Sequence, residues 1–338
     1  MLARAGLGVT LIEQHVFPRD KVCGECLSAL GIDVLERHGL GGFPHSQTVL
    51  SRTLIHAVNG TSCEFDLPRQ MWGISRRVLD AHLLDMAKSA GVRVLQPARC
   101  EAISPAILVR HLPNKDRETI DAAFVLRADG KPPDAHQTGD FGIKTHFEHV
   151  DGPADAIELF GVQGSYGGLA PIENGLFNAA FSVPAERLRT HRGDIDALFT
   201  QIVGENRTLS QRLRHARRAG SWLASPLPRF AVQREWLDKV IPIGNAACAI
   251  EPIGGEGMGL ALRSAELAAH AVIEAAREGS QVRRTALRQA YQQLWGTRAK
   301  ACRALALAAS HARFCSWLVP AVNGCDSLGV PVMYLMGK

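Results

Sequence analysis

No apolar run in the 338-residue sequence approaches the ~18–20 residues that cross a bilayer as a helix. A helical membrane-spanning protein is therefore excluded as an expectation. The start of the sequence lacks a signal-peptide pattern: Arg4 follows at once, and the run from Leu7 to Gln14 is short and ends in charge. There is no second C-x-x-C beside Cys23 and Cys26. The 13 histidines show no pair at finger spacing, so no zinc framework is expected and no metal is assigned. Nor do they form a Ser/His/Asp arrangement. Eight cysteines at irregular spacing predict free thiols in a reducing compartment, and the expected location is cytoplasmic. A basic cluster at Arg212, Arg214, Arg217 and Arg218 has no interleaved aromatics. Nucleic acid is thus not an expected partner. A solvated helix face is the plainer reading, and an anionic cofactor or a peripheral membrane contact the functional one.

What is present describes a globular chain. Hydrophobic residues make up 46% and charged residues 21%, and the length accommodates two domains with their own cores. The most informative segment runs from Gly244 to Val272. A strand-like run, Val240 to Ile243, leads into a loop carrying Gly254, Gly255, Gly257 and Gly259. An Ala/Leu-rich helix follows. Glycines let a loop backbone approach a ligand, and a helix start offers unpaired N–H groups with the positive end of its dipole. A tight turn before a core helix is the bland alternative.

The N-terminal segment carries a second signal. Leu2 to Gly6 reads as the last turn of a helix with a glycine stop, and Val9 to Ile12 as a buried parallel strand closed by Glu13. An acid at that strand end accepts hydrogen bonds from ribose hydroxyls in dinucleotide folds; an ordinary surface glutamate is the alternative. Gly6-Leu7-Gly8 follows a helix rather than opening one, so it is not the G-x-G-x-x-G turn. The expected first strand and turn would lie before Met1, and the chain reads as truncated by roughly twenty residues of the pattern.

Further along, Cys23-x-x-Cys26 alone suggests a redox pair or half a zinc site. Trp72 to Leu95 reads as an amphipathic helix stopped by Gly91 and followed by a strand. Arg76 stands at the helix start, the unfavourable end for a cation, where a phosphate or carboxylate would hold it. Leu95 to Asp121 predicts a β-meander, and Asp121 to Gly130 a buried strand ending at Ala128-Asp129-Gly130. Thr48–Asp66 and Phe141–Val183 are strand-rich, with two strands between Glu158 and Val183 around Glu173-Asn174-Gly175. Ser280 to Leu318 is helical in period, with Leu287, Tyr291 and Leu294 on one stripe and Cys302, Cys315 and Cys325 as core residues.

The order of these motifs resembles the flavoprotein monooxygenases of the p-hydroxybenzoate hydroxylase fold, and within them the geranylgeranyl-reductase-like branch. The resemblance is carried by Leu2–Glu13, Phe17–Leu27 (FPRDKVCGECL), Arg76-Leu79-Asp80-Leu83, Ala128–Gly130 and Gly244–Leu262. Each match is weak alone; five in order are specific. Two positions depart from the family pattern. The glycine fingerprint is absent, and the aspartate of the family's "GD" is Asn245, which still accepts through its carbonyl oxygen.

The resemblance implies an α/β fold with a discontinuous doubly wound FAD-binding domain over 1–43, 71–132 and 235–280. It implies an interleaved substrate-binding β-sheet domain over 44–70 and 133–234, and a helical region over 281–338. It implies FAD contacts from Glu13, Gly24, Arg76, Asp129, Asn245, Pro252, Gly254, Gly255, Gly257 and Met258, with NAD(P)H as reductant. Cys23 and Glu25 become active-site candidates without disulfide chemistry, and Tyr166 becomes a candidate wall of the substrate cavity or a sheet aromatic. Tyr166–Pro171 lacks both tryptophans of the halogenase W-x-W-x-I-P motif, which argues against halogenation. The expected activity is hydroxylation of an apolar polyketide-, aromatic- or isoprenoid-like substrate. The alternatives are double-bond reduction of the geranylgeranyl reductase type, an inert truncated relative and a thiol-redox protein. The sequence leaves the oligomeric state open.

Overall fold

A computed structural model describes the chain except residues 44–46, 105, 131–138, 229, 231, 234 and 323–338. Two short parallel pairs carry the strands predicted on either side of the glycine signals. β1 (Thr10–Ile12) pairs with β5 (Arg93–Leu95), and β9 (Val125–Arg127) with β16 (Val240–Pro242). A single 3-10 turn, Ala3–Ala5, precedes β1 and ends at Gly6 in the left-handed region, φ 85°. β1 is half-buried rather than buried, because among the described residues it is flanked by a strand on one edge only. The strand expected over Asp121–Gly130 shrinks to three half-buried residues, those that run beside β16. Between the pairs, β6 (Ala98–Ala102), β7 (Ile107–His111) and β8 (Arg117–Ile120) form the expected antiparallel meander.

Among the described residues the largest sheet has nine strands. Its edge strand β2 (Cys26–Leu27) pairs with β4 (Ser62–Gly73), which pairs with β3 (Thr48–His56). β3 runs parallel to β11 (Ala156–Val162). Beyond β11 come β12 (Ser165–Pro171), β13 (Phe177–Pro184) and β10 (Asp140–Glu148), all antiparallel. β14 (Arg217–Arg218) and β15 (Leu223–Pro226) close on β10. The region expected to hold two strands holds three, because Gln163-Gly164, with Gly164 at φ 66°, adds a hairpin turn before the one at Asn174-Gly175. Arg217 and Arg218 sit on a strand rather than the helix face expected of them.

Alternation along these strands divides the core. One face packs Ile143, Phe160, Phe177 and Phe181 against Leu198, Phe199 and Ile202 of α4 (Ile195–Glu205) and Leu209 of α5 (Arg207–Arg212). The other face packs Phe65, Met71, Ile157 and Leu159 against α6 (Gly257–Glu278) and α7 (Arg284–Ser310). The tail stripe is as expected: Leu287 and Tyr291 are buried, and the Tyr291 hydroxyl donates to Pro242 O and Ser264 O, both at 3.1 Å. Cys302 and, in α8 (Ala312–Val322), Cys315 are core residues, whereas Cys325 lies outside the described residues. Among the described residues no helix is long and apolar enough to cross a membrane.

α1 (Ala29–Arg37) crosses the start of α6 at very short range. A Cβ on Gly259 would lie 2.2 Å from Ser28 Oγ and 3.1 Å from the Gly31 nitrogen. Gly259→Ala is therefore expected to destabilise by about 1–3 kcal/mol through overpacking. A urea midpoint equal to that of the parent would contradict the close crossing.

The same helix pair is tied by buried Glu266. Arg37 binds it through Nε at 3.1 Å and Nη2 at 2.9 Å, His38 Nε2 lies 2.8 Å away, and Arg263 adds a further ion pair. Burial alone would raise this carboxyl, but the bonds from Arg37, Arg263 and His38 outweigh it and hold it at about 2, against an ordinary 4.5. A depressed carboxyl contributes stability above pH 4.5 that is lost as the pH falls towards 2. Glu266→Gln is expected to flatten the acid limb of the stability curve over that window. An unchanged limb in pH-dependent unfolding would refute the assignment.

Candidate active site

The segment before β2 folds into the region where three helices begin. α1 starts directly after β2, α6 starts beside Gly255, and α2 (Arg76–Ser89) starts after β4. Each start leaves unpaired N–H groups and a positive dipole end. At α2 these are met by acids. Glu173 Oε2 accepts from the Ser75 N–H at 2.9 Å, and Glu25 Oε1 from the Arg76 N–H at 3.0 Å.

Glu25 is fully buried and adopts φ 56°, a left-handed conformation that costs a side-chain-bearing residue about 1–3 kcal/mol. Its surroundings over-determine it. The backbone carbonyl accepts from Ile74 N–H at 3.0 Å. Lys144 Nζ donates to Oε1 at 2.9 Å, and His146 Nε2 lies 2.6 Å from Oε2. Lys144 is buried and also stands 3.6 Å from Asp20 Oδ1. Asp20, Glu25 and His146 bring ligand-type atoms within 4.8 Å of one another, but the Lys144 ammonium already supplies positive charge to both acids.

Cys23 and Cys26 are not joined in a disulfide. Cys23 Sγ accepts from the Glu25 N–H at 3.4 Å, and the Cys23 carbonyl accepts from Asn178 Nδ2 at 3.0 Å. Arg76 lies against Cys23 but is held by a carboxylate: Asp80 takes Nε at 2.9 Å and Nη2 at 2.7 Å. Lys21 joins the same acid at 2.5 Å. Burial pushes Asp80 up, and the charges of Arg76 and Lys21 more than reverse it, so its carboxyl falls below the ordinary range. One helical turn of separation thus offsets the cation at the helix start.

The pleat aligns a row of residues on the sheet face towards this cluster. Lys144 and His146 of β10 stand opposite Ala180 and Asn178 of β13. Ala180 and Asn178 stand opposite Gly168 and Ala170 of β12. Gly168, Ala180 and Ser182 keep accessible surface although they lie on inner strands, so a patch of small residues on this face stays open. Tyr166 lies on the same face but does not join the Glu25 cluster. Its hydroxyl donates to buried Glu251 at 2.5 Å, and Arg303 Nη1 binds the other Glu251 oxygen at 2.8 Å. Burial, then the Glu251 charge, raises the phenol well above its ordinary range. Tyr166 is therefore a donor bordering a cavity of about 110 Å³ that includes Ser182 and Ser310.

The residues expected around FAD occupy strand ends and a helix start. Glu13 follows β1 and accepts from the His15 N–H at 2.8 Å. Asp129 follows β9, is exposed, and takes Arg127 Nε at 2.9 Å. Asn245 follows β16 and is exposed. All three stand at carboxyl ends of parallel strands, where open α/β sheets bind ligands. Gly255, at φ 67°, rests on Cys26, and a Cβ there would lie 3.6 Å from the Cys26 Cβ. Gly254 serves packing instead, since a Cβ there would lie 2.6 Å from Cys302 Sγ. Pro252 and Gly257 are exposed and Met258 is half-buried. Cβ atoms on Gly24 or Gly257 would meet nothing within 4 Å, and α6 has no side-chain N-cap bond. A helix start with no side-chain cap bond and nothing within 4 Å of a Cβ on Gly257, in a chain that also presents acceptors at strand ends, fits an electron-rich ring and a ribose-bearing cofactor such as FAD.

Sequence reasoning missed Lys144, His146, Asn178 and Asp20. The signal for the first two was available: a Lys and a His two residues apart in a strand whose alternate positions are Ile143, Thr145 and Phe147.

No protein-family model matches the chain. It is 24% identical over 333 residues to conditioned medium factor receptor 1 of Dictyostelium discoideum, covering 87% of this chain and 64% of that protein. It is 25% identical over 308 residues to menaquinone reductase of Mycobacterium tuberculosis, covering 79% and 71%. Its structure is similar to a flavin-dependent brominase, with TM-score 0.78, 16% identity and coverage of 99% and 88%. It is similar to a flavoprotein/dehydrogenase from Cytophaga hutchinsonii, with TM-score 0.80, 15% identity and coverage of 99% and 89%. A geranylgeranyl bacteriochlorophyll reductase-like protein from Thermoplasma acidophilum gives TM-score 0.77, 16% identity and coverage of 99% and 91%. The chain thus has the α/β fold of the FAD-dependent oxidoreductases, the fold that flavin-dependent halogenases share with geranylgeranyl-reductase-like flavoproteins.

Proposed function

We propose that the chain is an FAD-dependent oxidoreductase, reduced by NAD(P)H, that acts on an apolar substrate lying on the Gly168–Ala180 patch. The observation that carries this reading is the uncapped α6 start at Gly257, set beside Cys26 through Gly255 and next along the chain to strained, buried Glu25. Glu13, Asp129, Asn245, Gly255, Gly257 and Met258 would hold the cofactor. When bound, FAD supplies hydride and electron transfer, and the protein supplies position and electrostatics. Of the chain's own residues, Lys144 neutralises Glu25, Arg76 and Lys21 share Asp80, and the small residues of the patch leave room for an apolar frame.

Two forms of this chemistry differ in their use of oxygen. Double-bond reduction is favoured by the similarity to menaquinone reductase and by an acid–base cluster on the same sheet face. Hydroxylation is the second reading, supported by the fold shared with FAD-dependent halogenases. The deciding experiment reduces the FAD-loaded protein anaerobically with NADPH and then adds a menaquinone analogue. Reoxidation of the flavin without oxygen, together with a two-hydrogen mass gain that stays in the product after its quinol is reoxidised to quinone, supports the double-bond reductase. Substrate-dependent oxygen consumption, with no anaerobic turnover, supports the hydroxylase. A protein that takes up no flavin belongs to neither and matches the inert relative.

A further inference from the structure

We infer that His146 is a proton-transfer residue of that sheet face, positioned by Glu25, and that with Asn178 it forms a site for a phenolic or enolic hydroxyl on an apolar frame. The inference extends the proposed function by naming the substrate's polar group.

The geometry fixes the imidazole. Glu25 Oε2 lies 2.6 Å from His146 Nε2, and a carboxylate there requires Nε2 to carry the hydrogen. A ring with its single hydrogen on Nε2 presents a lone pair at Nδ1, the arrangement by which a carboxylate orients a histidine base. Nδ1 has no hydrogen-bond partner among the described residues, and 11% of the side chain remains accessible. Glu25 cannot easily turn away: Arg76 N–H, Lys144 Nζ and the His146 ring each hold its carboxylate, and its backbone is locked at φ 56°.

A second observation comes from the neighbouring strand. Asn178 stands directly opposite His146 in the β10–β13 register, where facing Cβ atoms are about 5 Å apart. It is 1% exposed. Its Nδ2 donates to Cys23 O at 3.0 Å, while its buried Oδ1 has no partner among the described residues. A buried acceptor without a donor costs about 1–3 kcal/mol, a cost that a donor-bearing ligand removes. Nδ1 and Oδ1 belong to residues that stand directly opposite in the sheet, next to glycine and alanine, and together would complement a hydroxyl on an otherwise apolar molecule. The proton step is balanced within the site. The ligand O–H bond breaks as the Nδ1–H bond forms, its electron pair stays on the ligand oxygen, and the resulting imidazolium keeps its Nε2–H on Glu25. The adjacent Lys144 ammonium offsets the charge of the carboxylate that bears this imidazolium.

The test uses 1-naphthol as the hydroxyl-bearing probe and naphthalene as its apolar control, on the full chain with and without added FAD. Naphthol is expected to bind at least about tenfold more tightly than naphthalene. Its bound spectrum is expected to contain the naphtholate band at neutral pH. His146→Gln should abolish that band while retaining naphthalene binding. Glu25→Gln should retain naphthol binding and lose the band, and nitrogen NMR of the labelled ring should show the His146 tautomer reversed. Because Glu25→Gln perturbs a buried cluster, Asn178→Ala gives a second arm, with weaker naphthol binding and an intact tautomer. Equal binding of the two probes, a naphtholate band that survives His146→Gln, or hydrogen on Nδ1 in the parent protein would each overturn the inference. None of these readouts depends on flavin, so their failure is distinct from a failure to bind FAD.

Discussion

Replacing Glu25 by alanine is expected to destabilise the fold by about 3–5 kcal/mol, the cost of breaking a buried ion pair from one side. The loss has identifiable parts. Lys144 would remain buried, with Asp20 at 3.6 Å as its nearest remaining acid. The Arg76 N–H at the start of α2 would lose its acceptor, and His146 would lose its orienting carboxylate. The left-handed backbone would stay strained, because alanine carries a Cβ as glutamate does. Glu25→Gly should therefore be less damaging than Glu25→Ala by about 1 kcal/mol, although it removes more atoms. Denaturant unfolding of the two variants measures both numbers. A Glu25→Ala protein as stable as the parent would mean that the buried cluster does not hold the site together.

The second large effect separates cofactor binding from stability. Gly257 opens α6, is exposed, and has open space where a side chain would project. The Cβ of an aspartate there meets nothing within 4 Å. It also complements the helix dipole, contributing about 0.3–1 kcal/mol to the fold. The same charge would stand at the helix end proposed to face the electron-rich edge of the flavin. Gly257→Asp is expected to leave the melting temperature unchanged or slightly raised and to weaken FAD binding by at least about tenfold, or ~1.4 kcal/mol. Gly257→Ala serves as the uncharged control and should bind FAD nearly as the parent does. Equal FAD affinity in the aspartate variant and the parent would place the cofactor elsewhere.

Local signals in the sequence located the backbone framework well. Arg76 at the start of α2, Gly91 behind that helix, the Asn174-Gly175 hairpin and the glycine loop before α6 all stand where composition and period put them. Each is set by residues a few positions apart. Glu25 was also legible, because it sits in a recognisable string with Cys23 and Gly24. Its partners were not. Lys144, His146 and Asn178 lie 119, 121 and 153 residues further on, brought to Glu25 by sheet register rather than by any motif. Glycine roles divided in the same way. Gly254 and Gly257 read alike in sequence, yet one accommodates Cys302 of α7 and the other faces open space. Arg76 was placed correctly at a helix start, with the carboxylate it called for one turn away at Asp80.

The strand ends and the α6 start are proposed to form a flavin site. Titration of the purified chain with FAD, followed by quenching of flavin fluorescence, tests it most directly. Saturable, stoichiometric quenching is expected, weakened by Gly257→Asp and preserved by Gly257→Ala. Flavin fluorescence that stays at its free value throughout the titration, in a protein whose cooperative unfolding shows it to be folded, would contradict it.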